Sequence, residues 1–227
     1  MRIFILSLIC ATLPLFGASS LETARDAQDR PALQKMVQTY QEAAAKAPKN
    51  AEAQYRVALA SSYLAEVSLE LKDKNQAASA AEAGIQAADA AIALDPNKAE
   101  YHRVLATLCG QYIPSNVLRG LSYGKRAKDA IARAMQLDPK SAGVYVAEGV
   151  GNYYMPPAFG GGPEPAIQDF HKALELDPKS AEAYLWLGMA LKKEHKNAEA
   201  REALTKSLAL DPHRLWTKQQ LEKTPPQ

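Results

Sequence analysis

The triplet Leu-Asp-Pro occurs four times in this chain, ending at Pro96, Pro139, Pro178 and Pro212, and a fifth proline of the same series stands at Pro48. The intervals between them are 48, 43, 39 and 34 residues, so the spacing converges toward the C-terminus. A proline cannot continue a helix, because it lacks the N–H and clashes with the preceding turn. Each of the five therefore closes a helix. The last interval is the most regular. Counting from Ala181, Tyr184 falls at position 4, Leu187 at 7, Gly188 at 8 and Leu191 at 11, followed by Ala200 at 20, Leu204 at 24 and Ser207 at 27. Large side chains at 4, 7, 11 and 24 with small ones at 8, 20 and 27 describe two helices crossing closely, a small residue on one admitting a large residue from the other.

That pattern resembles the tetratricopeptide repeat (TPR), with Tyr in place of Trp at position 4, Leu for Tyr and Phe at 11 and 24, and Ser for Ala at 27. The resemblance implies an all-α fold, a right-handed α-solenoid of antiparallel helix hairpins. About four TPR-like units are expected, with an N-terminal half-repeat and a C-terminal capping helix over 215–223. Ala166, Phe170 and Ala173 repeat the second-helix pattern before Pro178; Ala127, Ile131 and Ala134 do so before Pro139; Gly84, Ala88 and Ala91 before Pro96. In the unit that starts at Ala142, Glu148 and Asn152 depart from the apolar pattern at positions 7 and 11. The unit that begins at Ala51 is 14 residues too long and has no Gly-Pro cluster to absorb the excess. Seven added residues per helix keep both stripes facing, so two long helices near 51–73 and 75–93 are expected. Met36, Tyr40 and Ala43 form a second helix without a first. Asn50, Ser141 and Ser180 stand where a side chain can cap the following helix. The hairpins are expected to stack side by side into a rod-like body.

The first twenty residues read differently. Arg2, an apolar run from Ile3 to Leu15 and then small residues have the layout of a secretory signal peptide. Thirteen apolar residues are too few to span a bilayer. Small residues at −3 and −1 place the cut after Ser19 or Ser20, giving a signal over 1–20 and a solenoid domain over 21–227. Ile9 before Cys10 argues against a lipoprotein signal. The expected location is periplasmic or secreted, with no stable membrane span after cleavage and Cys109 as the one remaining thiol.

Composition narrows the chemistry. A net charge of +2 without a block of like charge gives no reason to expect nucleic acid. None of the four histidines belongs to a metal motif, and no cysteine pair has metal-ligand spacing, so neither metal nor cofactor is expected. Gly160-Gly161-Gly162 lacks the Lys-Ser/Thr of a phosphate loop and reads as a tight turn, with Phe159 tucked under its hairpin. His102 and Cys109 lie seven residues apart on one helix, about 10.5 Å along its axis, and both fall on core positions. The chain is therefore read as non-catalytic. Lys125, Arg126, Lys128 and Arg133 read as a solvated helix face.

In TPR proteins the first helices line a concave groove, mostly through positions 2, 5, 9, 12 and 13. The resemblance implies a groove containing Tyr55, Leu59, Tyr63, Arg103, Thr107, Gln111, Val146, Val150, Tyr153, Tyr154, Leu185, Met189, Lys192 and Lys193, facing an unidentified protein or peptide partner. The Lys and Asn that clamp a peptide carboxylate in chaperone-binding members are absent here. The long first hairpin and the 153–162 loop resemble exported TPR-like proteins associated with TRAP-type transporters. That resemblance implies the alternative of a periplasmic carrier for a hydrophobic small ligand or peptide. Two arrangements stay open: an exposed apolar groove, or one covered by the insertions at 113–122 and 155–163.

Overall fold

In the computed structural model the described residues are 18–115 and 119–226, with side chains described from residue 21 onward. Eleven α-helices are present among them: α1 (Ala18–Asp26), α2 (Arg30–Lys46), α3 (Ala51–Glu70), α4 (Lys74–Leu94), α5 (Ala99–Tyr112), α6 (Gly120–Leu137), α7 (Ala142–Tyr154), α8 (Pro163–Leu176), α9 (Ala181–Lys193), α10 (Asn197–Leu210) and α11 (Leu215–Glu222). No β-strand occurs among the described residues. The cut expected near Ser19 or Ser20 falls inside α1, and the charged and apolar parts of the expected signal lie outside the described residues.

The proline register is reproduced at every boundary. Pro48, Pro96, Pro139, Pro178 and Pro212 each stand in the short connection after α2, α4, α6, α8 and α10. The aspartate before each of the last four shapes the turn as well. Asp95, Asp138, Asp177 and Asp211 each accept the backbone N–H two residues on, at 3.3, 3.2, 3.0 and 3.2 Å. Their own N–H groups bond back to Ala91, Ala134, Ala173 and Ser207, closing the helix end. Leu-Asp-Pro is thus a complete stop signal, an Asx turn that satisfies the donor while the ring blocks continuation. Asn50 and Ser180 cap α3 and α9 through their side chains, whereas Ser141 makes no such bond to α7.

The hairpins α3–α4, α5–α6, α7–α8 and α9–α10 pack pairwise, and the first helices α3, α5, α7 and α9 pack in series. The long hairpin needs no insertion: α3 and α4 run 20 and 21 residues. Ahead of them, α2 has a short first helix, α1, which completes the half-repeat. Its turn matches two others. Gln28, Lys72 and His195 all have positive φ, at 53°, 64° and 60°. After each, the next residue's N–H reaches back five residues, from Asp29 to Ala24, Asp73 to Ser68 and Lys196 to Leu191. This Schellman closure is made here with non-glycine residues.

Within the hairpins the small-to-large register holds. A Cβ at Gly188 would lie 2.6 Å from Leu204 Cγ, and one at Gly149 would lie 2.5 Å from the Phe170 ring. Of the two polar departures in α7, Asn152 is satisfied at the edge of this packing. Asn152 donates to Asp169 at 2.7 Å, and its carbonyl accepts from Gly162 at 2.8 Å. His102 and Cys109 are core residues; His102 Nε2 bonds the Pro96 carbonyl at 2.9 Å, and burial pushes the Cys109 thiol up to about 11.

The body is not a rod. The arc of hairpins bends until α11 and the residue before it reach α1 and α3, 144 to 191 residues earlier in sequence. Two apolar cores result, one from Leu21 to Ile131 and one from Val146 to Trp216.

Candidate functional site on the concave face

The residues expected to line the groove fall into two groups. In the first, Tyr55 stacks on Tyr101 with ring centroids 5.0 Å apart and donates its hydroxyl to Glu100 at 3.0 Å. Arg103 grips the same carboxylate with two N–H groups, at 2.6 and 2.5 Å. Burial opposes the charge of Arg103, but the bonds and charge of Glu100 outweigh it and hold the guanidinium ionised. Burial together with Glu100 likewise holds the Tyr55 phenol neutral. Arg103 is therefore an engaged cation. Thr107 turns its hydroxyl onto the Arg103 carbonyl, 3.2 Å away, and Leu59 is half-buried against the first core.

The second group is apolar. Val146 and Leu185 are buried, while Val150, Tyr153 and Met189 are half-buried at the margin of the second core. Four aromatic rings adjoin them. Tyr153 and Tyr154 meet edge-on at 4.9 Å, both approach Trp186, and Trp186 meets Trp216 at 5.2 Å. Lys193 stands over the Tyr153 ring and donates to its carbonyl at 2.8 Å. Tyr154 is 65% exposed, yet its phenol is pushed up by the burial of its surroundings and by the carboxylates of Glu66 and Glu70 on α3.

Phe159, expected beneath its hairpin, is 69% exposed, since Pro157–Phe159 forms a 3-10 turn standing out from the hairpin. Gly160 and Gly162 take positive φ in that loop, and a Cβ at Gly161 would collide with Met155 at 2.3 Å. Around Leu185 gather Arg25, Glu66, Glu182, Arg214 and Thr217, most of them contributed by the two ends of the chain. The basic side chains of α6 are held at the surface: Lys125 pairs with Asp129, Arg126 with Asp89, and Arg133 with Asn97.

Reading single repeats gives no access to these end residues. Arg214 is 4% exposed and bonds Glu66 at 2.6 Å, Glu70 through both terminal nitrogens, and the Arg25 carbonyl at 3.3 Å. Asp26 lies 3.7 Å from its Nε. Arg25 stacks over Tyr63, pairs with Asp26 at 2.8 Å and approaches Glu182 at 3.9 Å. One signal was available: Glu66 and Glu70 continue the inward stripe of Tyr55, Leu59 and Tyr63 at helical spacing along the lengthened α3. No group of His, Cys, Asp or Glu able to hold a metal occurs among the described residues, and no helix there is long and apolar enough to cross a membrane.

Comparison with known proteins agrees with this architecture. Models described as TPR repeat and Tetratricopeptide repeat match residues 164–194 and 181–214. Among solved structures, a thermophilic TPR protein of Thermus thermophilus, TTC0263, superposes with a TM-score of 0.63 at 19% identity, covering 89% of this chain and 97% of that one. The HusA haemophore of Porphyromonas gingivalis gives 0.60 at 14% identity, covering 80% and 96%. These identities establish a shared fold. No curated protein matches the chain. A further family model covers residues 20–155, more than half of the sequence, and includes the short α1, the long α3–α4 hairpin and the α7 aromatic end. By that match the chain, a solenoid of tetratricopeptide repeats, belongs to the family described as Regulator of microtubule dynamics protein 1-3.

Proposed function

We propose that this protein is an exported, non-catalytic scaffold that holds a protein or peptide partner on its concave face. The observation that carries the reading is Tyr154. A large aromatic side chain left two-thirds exposed beside Tyr153 and Trp186 on the inner face is the kind of anchor that binding surfaces present. The TPR architecture supports an interaction role, because repeats of this kind place the exposed faces of their first helices along one continuous surface. Export rests on residues 1–20.

A photo-crosslinking side chain placed at Tyr154 or Met189 in the source cells tests the site. One stoichiometric adduct is expected from those positions and none from Gln38 on the outer surface of α2. Adducts from Gln38 alone would refute the concave site. Export predicts a mature protein beginning at Ser20 or Leu21. An intact N-terminus, together with co-sedimentation with polymerised tubulin, would replace export with the cytoskeletal role that the family description names.

A second reading is favoured by the apolar stripe of Val150, Tyr153 and Met189, which suits a hydrophobic small ligand. Native mass spectrometry of the purified protein separates the two. A bound mass lost on Met189→Lys supports the carrier.

A further inference from the structure

The contact that closes the arc joins α11 and the residue before it to α1 and α3. Neighbouring hairpins share apolar side chains, but the ends meet through charge. Arg214, Glu66, Glu70, Asp26, Arg25 and Glu182 form the seam, and Gln219 and Gln28 extend it, with Gln219 donating to Gln28 at 3.0 Å and Gln28 to Glu70 at 2.8 Å. A cavity of about 30 Å³ sits inside the seam, and the buried Thr217 hydroxyl beside it has no hydrogen-bond partner. That is room for one water. Four carboxyl groups face two guanidinium groups. The carboxyl groups on α3 and at the end of α1 thus form a socket built for one guanidinium, saturating a forked donor set from several sides.

We infer that this socket is an arginine-recognition site that the chain fills with its own Arg214, so that the seam is a releasable clasp, and an arginine-bearing segment of a partner is the class of ligand that would take the place of Arg214 and open the arc. Opening separates α11 from α1 and α3 without breaking any hairpin, since each hairpin keeps its own apolar packing. It widens access to the inner face around Tyr154 and Leu185. That consequence rests on the concave-face reading above, whereas the clasp itself stands on the seam's own geometry.

Spin labels at Lys35→Cys and Lys218→Cys, in a Cys10→Ser chain with Cys109 buried, report the distance between α2 and α11 with no ligand present. A single narrow distance is expected for the otherwise unmodified protein. Arg214→Ala is expected to lengthen and broaden it while helical circular dichroism is retained. Millimolar methylguanidinium should restore the narrow distance, and methylammonium at equal ionic strength should not. Glu66→Lys, which reverses charge beside Arg214, should open the arc independently. An unchanged distance in both variants would show that Trp216 packing closes the arc and overturns the clasp. Loss of helix content in both would make the seam a folding element, which also overturns it. Equal rescue by both cations would reduce the socket to charge screening and overturn arginine recognition. None of these outcomes depends on whether the concave face binds a partner.

Discussion

Gly149 on α7 and Phe170 on α8 approach so closely that any β-carbon on the first would lie 2.5 Å from the ring of the second. The pair is the small-to-large contact at positions 8 and 24 of one repeat, and Gly188 with Leu204 is the same contact in the next. Glycine is required here for proximity alone, since both sites are ordinary helix.

This makes two opposite outcomes testable with one substitution. Gly149→Ala or Gly188→Ala must push the facing side chain aside, a strain of about 1–3 kcal/mol that exceeds the roughly 1 kcal/mol alanine gains over glycine in a helix. Net destabilisation by chemical denaturation is expected. Gly110→Ala and Gly151→Ala, also helical, meet nothing within 4 Å and should instead stabilise by up to about 1 kcal/mol. Equal effects at all four sites would contradict the register.

Stability should depend on pH through the seam. Burial, with Glu66 adding to it and Arg214 opposing, pushes the Glu70 carboxyl up to about 7. Glu66 is moved in the same direction, first by burial. A folded-state value above the unfolded one means that the folded protein holds a proton which the unfolded chain releases. The stabilisation is fully present below about pH 4.5, near the usual glutamate value, and is lost as pH rises through 7. Unfolding free energy should therefore fall between pH 5 and 8. Glu70→Gln, which imitates the protonated side chain, should flatten that slope and raise stability at pH 8 by something on the order of 1 kcal/mol or more. A slope unaltered by Glu70→Gln would place the titration elsewhere.

Cys109 should behave as core. It is fully buried in α5 and its thiol is pushed up to about 11, so the reactive thiolate is scarce at neutral pH. In a Cys10→Ser chain, reaction with a disulfide reagent should proceed at the rate of unfolding and accelerate with denaturant. Fast labelling of the native protein would indicate a breach between α4, α5 and α6.

The polar group at Glu100 should matter for shape more than for binding. Its carboxylate joins Tyr55 on α3 to Arg103 on α5, linking two first helices across the inner face. Glu100→Ala leaves Arg103, itself largely enclosed, without its partner, and a loss of about 2–4 kcal/mol is expected. Tyr55→Phe removes one bond and keeps the stack on Tyr101, so about 1 kcal/mol is expected. Thermal denaturation of both variants checks the order.

What could be read from the sequence was whatever a hairpin specifies within itself. The five prolines, the aspartates beside them, the glycine opposite each large residue and the fourteen added residues of α3 and α4 all act through neighbours one or two helical turns away or directly across one hairpin. They set helix ends and pair helices regardless of the rest of the chain, and so the all-α solenoid followed from pattern alone. The curvature did not. It accumulates from small rotations at each successive junction, and only its sum decides whether the ends meet. Arg25 and Arg214 look like ordinary surface arginines in their own segments, and Glu66 and Glu70 like one more helical pair. Folding brings them together because the arc closes, converting exposed charges into a buried seam that places the two ends of the chain around Leu185. Phe159 shows the converse: an aromatic that local composition would bury stays outside because no neighbouring unit arrives to cover it.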